Sequence, residues 1–322
     1  MKGSKIRVAD TRNSKTSRRR KAIIVASFMG VAIAIAAAIM IYRSKMAPFR
    51  AVVLEVNDTS ISMGYFLKRA SLSPESPTAM LETLISEEII KQVAPYPPHS
   101  IRVSENDVDL FLREIARGDR ETISESEFDV WYRQQLEETR FTKAEYRDLV
   151  RSNLLRQRLA VSIAEKIAGV AEQVHLFMLA QSSMEDALDV KKRLDEGEDF
   201  YRLARKLNLN EQLKEQGGDL GWYPREALPE NVAREVFDRL EIGQYSEPLV
   251  ISNQYAAIIL VAERSAARQI NEQLLQTLKS NALERWLEQE LTHHRVIVHG
   301  LKNGYDEETE AWIQWQLQKM RS

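Results

Sequence analysis

The 322-residue sequence contains no cysteine, and this absence excludes several kinds of chemistry. No disulfide can form, no thiolate can bind a metal, and no cysteine can act as a nucleophile. The sequence also lacks a P-loop, a dinucleotide-binding glycine fingerprint and a Ser-His-Asp grouping. The common nucleotide-dependent enzymes, serine hydrolases and cysteine hydrolases are therefore excluded.

Basic residues are scarce beyond the first 21 positions. Residues 1–21 contain nine Lys or Arg and the single acid Asp10, which leaves 36 basic and 46 acidic residues for the remainder, a net charge of −10. A protein that binds nucleic acid needs a cationic surface to neutralise phosphates. The acidic body argues against nucleic acid as a partner.

Long apolar runs are absent except for one, at residues 22–42. These 21 residues contain no charge and no proline, and as a helix they would extend roughly 30 Å, the thickness of the hydrocarbon core of a bilayer. The basic cluster of residues 18–21 precedes the run, so the positive-inside rule places the tail 1–21 in the cytoplasm. We expect a single-pass membrane protein with the bulk of the chain outside the cytoplasm.

A cleaved signal peptide is the main alternative for this run. Signal peptides have apolar regions of about 7 to 15 residues followed by a site with small residues. Here the run is longer and ends at Tyr42-Arg43-Ser44-Lys45 without such a site. The pattern favours an uncleaved anchor.

Residues 50–170 are predicted to form a mostly helical domain that begins with a short strand. The strand-like run turns at Asn57-Asp58, and amphipathic helical stretches follow it. Ser104, Ser124 and Thr142 stand where N-caps would begin three of these helices. The order "VVLEVNDTSISMGYFLKR", "MLETLISEEIIKQVA", "VSENDVDLFL", "TKAEYRDLVRSNLLRQRL" resembles the N-terminal chaperone domain of the SurA/PrsA/trigger-factor-like foldases. The resemblance implies binding of unfolded polypeptides.

Residues 172–265 change to a pattern of strand, helices, loop, helix and strand. "VHLFMLA" and "QYAAIILVAER" favour strands, and two helices separated by Glu196-Gly197-Glu198 lie between them. The succession resembles the parvulin-type peptidyl-prolyl isomerase domain, so we expect an α+β fold. The residues that carry the resemblance are Ala187, Leu194, Gly197, Phe200, Leu203-Ala204, Gly217-Gly218-Asp219-Leu220-Gly221-Trp222, Phe237 and Gly243-Gln244-Tyr245-Ser246-Glu247-Pro248.

The parvulin resemblance implies a polar network around the twisting prolyl peptide bond. In that family the network contains two facing histidines, a neighbouring Asp or Cys, and a Ser or Thr. Carried over by position, the histidines fall at Phe177 and Ala257, and the acid falls at Asn210. The resemblance therefore implies that the usual catalytic groups have been lost, and no residue is predicted as catalytic. Twisting of the bond in a dry apolar site remains compatible with activity.

The same resemblance implies an apolar cup for the proline ring. Its positions fall at Leu228 and Val232, and with Phe237 and Phe177 they form the predicted substrate-binding set. His175 lies two residues before Phe177, so on a strand both side chains point to one face. A structural role for His175 is the more common one, and a catalytic role is the alternative.

The C-terminal segment 266–322 is predicted to pack back on the helical domain. Residues 270–291 read as one long amphipathic helix, and 295–299 as a strand that pairs with "AVVLEV". The last helix, which contains Trp312 and Trp315, could dock on the protein or lie at a membrane interface, and its acidic residues favour docking.

Metal and cofactor sites are not predicted. His293-His294 and His299 lack a convergent acid at ligand spacing, so a solvated helix end explains them better than a metal site.

Three functions fit these patterns. The first is a membrane-anchored extracytoplasmic folding factor that binds unfolded or proline-containing exported polypeptides, with weak or absent isomerase activity. The second is an active prolyl isomerase on the same scaffold. The third is a non-catalytic interaction module of the cell envelope.

Overall fold

The computed structural model describes residues 34–37, 39–42, 46–252, 255–301 and 304–321. Two short helical stretches of the predicted span 22–42 are described, and the rest of it, like the tail 1–21, lies outside the described residues. Within the described ranges, no helix is both long and apolar enough to cross a membrane.

Helices and antiparallel strands alternate along the chain, which confirms the mixed α and β class. In chain order the elements are β1 (Val52–Val56), β2 (Thr59–Ser62), α1 (Met63–Leu72), α2 (Pro77–Val93), α3 (Glu105–Arg117), α4 (Glu125–Thr139), α5 (Lys143–Glu165), β3 (Val170–Gln181), α6 (Met184–Asp195), α7 (Phe200–Leu207), α8 (Glu211–Glu215), β4 (Asp219–Pro224), α9 (Glu230–Arg234), β5 (Leu249–Ser252), β6 (Tyr255–Gln269), α10 (Glu272–Ser280), α11 (Ala282–Leu291), β7 (Val296–Val298) and α12 (Glu307–Arg321). A 3₁₀ turn (Arg225–Ala227) and a π-helical turn (Glu235–Arg239) flank α9.

The described part of the chain divides into two compact units, each with its own core. The first unit takes the described residues within 1–93, 103–154 and 293–322, and the second takes 94–102 and 155–292.

The first unit contains a three-stranded antiparallel sheet in the order β2-β1-β7. The pairing of β7 with β1 is the one predicted from the sequence, and it joins segments more than 230 residues apart. Helix α12 packs against α1 and α2 in the same unit and buries Thr309, Ile313 and Leu317. Arg321 donates hydrogen bonds to the carbonyl oxygens of Ala70 and Ser73, at 2.8 and 2.6 Å. These bonds satisfy carbonyl groups at the end of α1 that lack partners within the helix.

Short side chains begin the helices of the first unit where the sequence predicts N-caps. The Ser104 hydroxyl accepts a hydrogen bond from the Asp107 N–H at 3.1 Å, and the Asp107 carboxylate accepts one from the Ser104 N–H at 2.7 Å. Ser124 begins α4 with the same reciprocal arrangement. Thr142 caps the first turn of α5. Such caps satisfy N–H groups that the helix itself leaves without an acceptor.

A buried ion pair joins α1 to α2 in the first unit. The Arg69 guanidinium donates two hydrogen bonds to the Glu87 carboxylate, at 2.6 and 2.7 Å, and both side chains are more than nine-tenths buried. Burial alone would lower the pKa of Arg69, but the hydrogen bonds and charge of Glu87 raise it above its ordinary value. Arg69 is therefore held in its charged form.

The second unit contains a four-stranded antiparallel sheet in the order β4-β3-β6-β5. Side chains alternate between the two faces of each strand. One face packs on α6 and α7; its buried residues are Leu179, Val190, Leu194, Phe200, Leu203, Ala204, Ile258 and Leu260. The other face packs on α9 and the π-helical turn; its buried residues are Val174, Leu176, Val232, Val236, Ile259 and Val261. We call them the α6–α7 face and the α9 face.

The segment after β6 differs from the prediction. The helix predicted over 270–291 is two helices, α10 and α11, separated at Asn281, and both belong to the second unit. The Ser280 hydroxyl donates to the Thr277 carbonyl oxygen, and Ser and Asn side chains compete in this way with helical hydrogen bonds. The predicted segment 266–322 is thus divided between the two units.

Removing one partner of the buried ion pair should destabilise the first unit. Arg69→Met leaves the Glu87 carboxylate buried without a counter-charge, and we expect a loss of about 3 kcal/mol or more in the free energy of unfolding. The double variant Arg69→Met/Glu87→Leu should recover most of this loss, because no charge remains buried. Urea denaturation followed by hydrogen exchange measures the free energy of unfolding of the single and the double variant. Equal losses of that free energy in the two variants would contradict the expectation.

A second prediction concerns the α9 face. Val232 is 3% exposed, so Val232→Asp buries an unpaired carboxylate and should lower the free energy of unfolding by about 4 kcal/mol. Val250 on β5 is 57% exposed, and the same substitution there should cost about 0.5 kcal/mol or less. Urea denaturation of the two variants checks the contrast, which would be lost if Val232 were accessible to solvent.

Candidate functional site

The register of β3 and β6 decides which side chains share a face of the sheet. Phe177 pairs with Leu260, Met178 with Ile259, and Ala180 with Ala257. Residues directly opposite each other point to the same side, and the side alternates along the strand. Ala257 therefore lies on the α9 face with Met178 and Ala180, whereas Phe177 lies on the other face.

The two positions to which the family's histidines were carried over, Phe177 and Ala257, therefore lie on opposite faces of the sheet. The Phe177 ring packs on the α6–α7 face, with its centroid 4.9 Å from that of Tyr201. A shift of one residue along a strand moves a side chain to the opposite face. The ladders flanking β3 each contain an irregularity beside Leu176, one against β4 and one against β6. Met178, rather than Phe177, is the β3 side chain that lies on the α9 face at this level.

The other three predicted substrate-binding residues do come together. Leu228, Val232 and Phe237 belong to one apolar cluster on the α9 face, and Met178 packs against it. Val232 is nearly fully buried, so it is part of the core rather than a wall open to a ligand. Leu228 and Phe237 are half-buried and present apolar surface.

Phe237 has a further role in holding the helical turn to the sheet. Its ring lies between two guanidinium groups, 5.0 Å from that of Arg225 and 5.7 Å from that of Arg264. Arg264 also donates hydrogen bonds to the carbonyl oxygens of Val236, Phe237 and Leu240, at 2.9 to 3.1 Å. These contacts cap the C-terminal carbonyl groups of the π-helical turn.

The other two positions carried over from the family, Ala257 and Asn210, supply no proton-transfer group. Ala257 is fully buried between Ala180 and Leu249 of the neighbouring strands. Asn210 is exposed, and its side-chain oxygen accepts the Leu213 N–H at 3.1 Å as the N-cap of α8. Both residues therefore have structural roles in this fold.

The Gly217-Gly218 turn needs glycine because the backbone of Gly218 lies very close to the backbone of β3. Gly218 has φ of +90°, and a Cβ atom there would lie 2.8 Å from the Met178 carbonyl oxygen. The Gly218 carbonyl oxygen accepts the Met178 N–H at 2.7 Å. A residue with a side chain would be strained and would clash with β3. The glycine pair thus fixes β4 against β3 and contains no catalytic group.

The motif Tyr245-Ser246 is structural as well. The fully buried Ser246 hydroxyl accepts the Ile259 N–H at 3.0 Å, and the Ser246 N–H donates to the Ile259 carbonyl oxygen at 2.8 Å. The Tyr245 hydroxyl donates to the Asp195 carboxylate at 3.2 Å. Burial and the nearby Asp195 raise the pKa of Tyr245, so the phenol stays protonated at neutral pH.

His175 lies on the α6–α7 face with Phe177, away from the cluster of Leu228. Its Nε2 is 2.8 Å from Asp219 Oδ1 and its Nδ1 is 3.2 Å from Glu263 Oε1. The imidazole stacks on Trp222 at a centroid distance of 5.3 Å. Sequence reasoning singled out His175 and missed these three neighbours. Trp222 and Glu263 come from strands on either side, and no local spacing identifies such partners.

In the ranges that the structure describes, no group of three or more histidine and acidic side chains is arranged so that it could hold a metal ion. His294 Nδ1 lies 2.7 Å from the Asn57 side-chain nitrogen, at the turn between β1 and β2.

The α9 face can therefore bind apolar groups. The three carried-over positions place no imidazole or carboxylate on it, because Phe177 lies on the other face, Ala257 is a buried alanine and Asn210 caps α8. A ring held on this face would lose water contacts, which lowers the cost of twisting a peptide bond without acid–base help.

Comparison with known proteins shows what this unit is similar to. Residues 179–263 match the family model "Rotamase: PPIC-type PPIASE domain". The foldase protein PrsA of Geobacillus sp. (strain WCH70) is 28% identical over 137 residues, which cover 39% of this chain and 48% of that protein. The periplasmic chaperone PpiD of Haemophilus influenzae is 34% identical over 92 residues, 29% of this chain and 14% of that protein. The chain thus spans less than half the length of these two relatives.

A crystal structure of the peptidylprolyl isomerase PrsA from Bacillus anthracis aligns over 74% of this chain and 96% of that one, with 20% identity and a TM-score of 0.37. The family model covers the region from β3 to β6. Residues 179–263 are thus a PPIC-type rotamase domain, in a chain related over part of its length to the PrsA and PpiD foldases.

Proposed function

We propose that this protein is an extracytoplasmic folding factor that binds unfolded exported polypeptides and has weak or no prolyl isomerase activity. In this proposal, the α9 face of its rotamase domain provides an apolar binding surface. The observation that carries the proposal is the composition of the α9 face, where Met178 and Ala257 stand on neighbouring strands without a polar side chain.

The proposal includes the membrane and domain assignments made from the sequence. Residues 22–42 would anchor the chain, 50–170 would form the client-binding helical domain, and 172–265 would form the parvulin-like domain. The related PrsA and PpiD proteins are named a foldase and a periplasmic chaperone, which supports an extracytoplasmic site of action. The acidic body and the basic tail 1–21 support this orientation.

Exposed apolar side chains on the helical unit support client binding. Leu110 on α3 is 60% exposed and Val130 on α4 is 61% exposed, while Phe111 and Trp131 beside them are half-buried. Such side chains contact unfolded chains through the hydrophobic effect, which needs neither ATP nor a specific sequence.

Isomerase activity should be low because the three positions carried over from the family supply no acid–base group to the α9 face. Positioned acid–base groups contribute about 10²- to 10⁴-fold to enzymatic rates. We expect kcat/KM on a proline tetrapeptide at least about 100-fold below that of a parvulin that retains its two histidines.

The matched variants for this assay are Leu228→Ala on the α9 face and Leu188→Ala on α6, where the side chain is 53% exposed. The alternative, an active isomerase, would be established by turnover at parvulin rates. That turnover would have to be abolished by Leu228→Ala and preserved by Leu188→Ala.

Aggregation of an unfolded client should be suppressed by the full chain in detergent micelles without ATP. Leu110→Ser/Val130→Ser should weaken the suppression about twofold or more, because it removes apolar contact area from the helical unit. Leu188→Ser/Leu209→Ser removes equally exposed side chains, each 53% exposed, from the second unit and serves as the control. Light scattering measures all three. Failure to suppress aggregation of any client would favour the third hypothesis, a dedicated interaction module.

A further inference from the structure

A cavity of about 420 Å³ opens in the first unit, on the outer side of β2. It is lined by the whole of β2, by one face of α2 and by the first turns of α5. The side chains that the cavity exposes between these elements include Tyr65, Leu84, Glu87, Glu88, Lys91, Ala144, Glu145 and Asp148. The cavity is not lined by Leu110 or Val130, the proposed client contacts on α3 and α4.

The backbone of β2 presents hydrogen-bonding groups to this cavity. The Asn57 N–H donates to the Arg295 carbonyl oxygen, and the His299 N–H donates to the Val53 carbonyl oxygen, each at 2.8 Å. The backbone groups of alternate residues of β1 therefore point towards β7, and those of the residues between them point towards β2. Ser60, opposite Glu55, is thus a residue whose N–H and C=O point to the outer edge.

The edge of β2 has the form that accepts an added strand. Among the described residues, no strand pairs with β2 on the cavity side, and Ser60 is exposed. An open strand edge recognises any extended polypeptide through its main chain, and pockets beside it select the side chains.

The acids that line the cavity and the cations paired with them leave one carboxylate in excess. The four lining acids, Glu87, Glu88, Glu145 and Asp148, are paired with three cations, Lys68, Arg69 and Lys91, of which Lys91 is itself a lining residue. Arg69 engages both oxygens of Glu87, and Lys68 engages both oxygens of Glu145. Asp148 also lies 3.9 Å from Arg151, which contacts Glu105 in turn, so this further pair adds no net charge.

Among the four lining acids, Glu88 has the weakest ion pairing. Lys91 Nζ lies 2.7 Å from Asp148 but 3.4 Å from Glu88, and the Glu88 side chain is nine-tenths buried. Its second oxygen accepts a neutral hydrogen bond from the Gln92 amide at 3.0 Å. A cation brought by a ligand would complete the charge balance, because a partly buried carboxylate is stabilised by an opposite charge nearby.

We propose that this cavity binds an extended polypeptide segment, which adds to the edge of β2 and places a lysine or arginine side chain beside Glu88. The inference rests on the proposed function, since it names the class of client segment and the place where the helical unit holds it. Ile61, Leu84 and Tyr65 offer apolar contacts to the side chain two residues further along the segment.

Two nine-residue fluorescent peptides of alternating Thr and Val test the proposal, one with a central lysine and one with norleucine at that position. Fluorescence anisotropy with the full chain should show about tenfold tighter binding of the lysine peptide. Glu88→Gln should remove that preference and leave the norleucine peptide unaffected. Glu82→Gln, an exposed acid of the same helix outside the cavity, should bind both peptides like the unaltered chain.

Strand addition is tested separately by Ser60→Pro. Proline is tolerated where an edge N–H points outwards, so this variant should still fold. Because proline removes the N–H of residue 60, the affinity for both peptides should fall about fivefold. Peptides with alternate N-methylated amides give a second measurement that leaves the protein unchanged, and they should bind at least tenfold more weakly. Equal binding of the lysine and norleucine peptides, or undiminished binding of the N-methylated peptides, would overturn the proposal. Suppression of aggregation that persists in either case would leave the proposed function standing.

Discussion

The antiparallel ladder between β3 and β6 is the constraint on which the second unit depends. Its strands are 12 and 15 residues long, and alternation along the regular stretch from Leu176 to Gln181 assigns the buried side chains to one of two cores. The helices α6 and α7 cover one core, and α9 with the π-helical turn covers the other. A ligand on the α9 face therefore meets Met178, and the ladder keeps His175 on the other side. Ala257, one of the carried-over histidine positions, lies on this face, whereas Phe177 lies on the other.

Scaffold and chemistry are separable in this domain because they depend on different atoms. Gly218 is fixed by a backbone contact with Met178, and Ser246 by main-chain bonds to Ile259. Arg264 is held by the carbonyl oxygens of the π-helical turn. None of these interactions requires an imidazole on the sheet. A sequence can therefore keep the motifs that identify a rotamase domain without keeping a histidine at the positions carried over from the family.

Much of the fold could be predicted from the sequence, and the errors have physical causes. Amphipathic periods and capping residues predict the helices of the first unit, and the pairing of β7 with β1 was predicted across the chain. Phe177 and Ala257 lie on opposite faces because the regular register of β3 and β6 pairs Phe177 with Leu260 and Ala180 with Ala257, and local sequence does not reveal that register. The cavity beside β2 escaped prediction for a different reason: its charges come from separate elements, and only the folded chain brings them together.

Under the two proposals each unit would hold an unfolded chain in its own way, and the two ways would depend on different properties of that chain. Apolar contact on the α9 face scales with the area removed from water and is nearly independent of direction. Main-chain pairing at an open strand edge requires an extended segment but accepts almost any sequence. A single excess carboxylate adds a preference without demanding a motif, since one charge pair changes affinity modestly compared with a row of hydrogen bonds. Such weak selectivity suits a protein whose clients share only the property of being unfolded, whereas tight complementarity would restrict it to one partner.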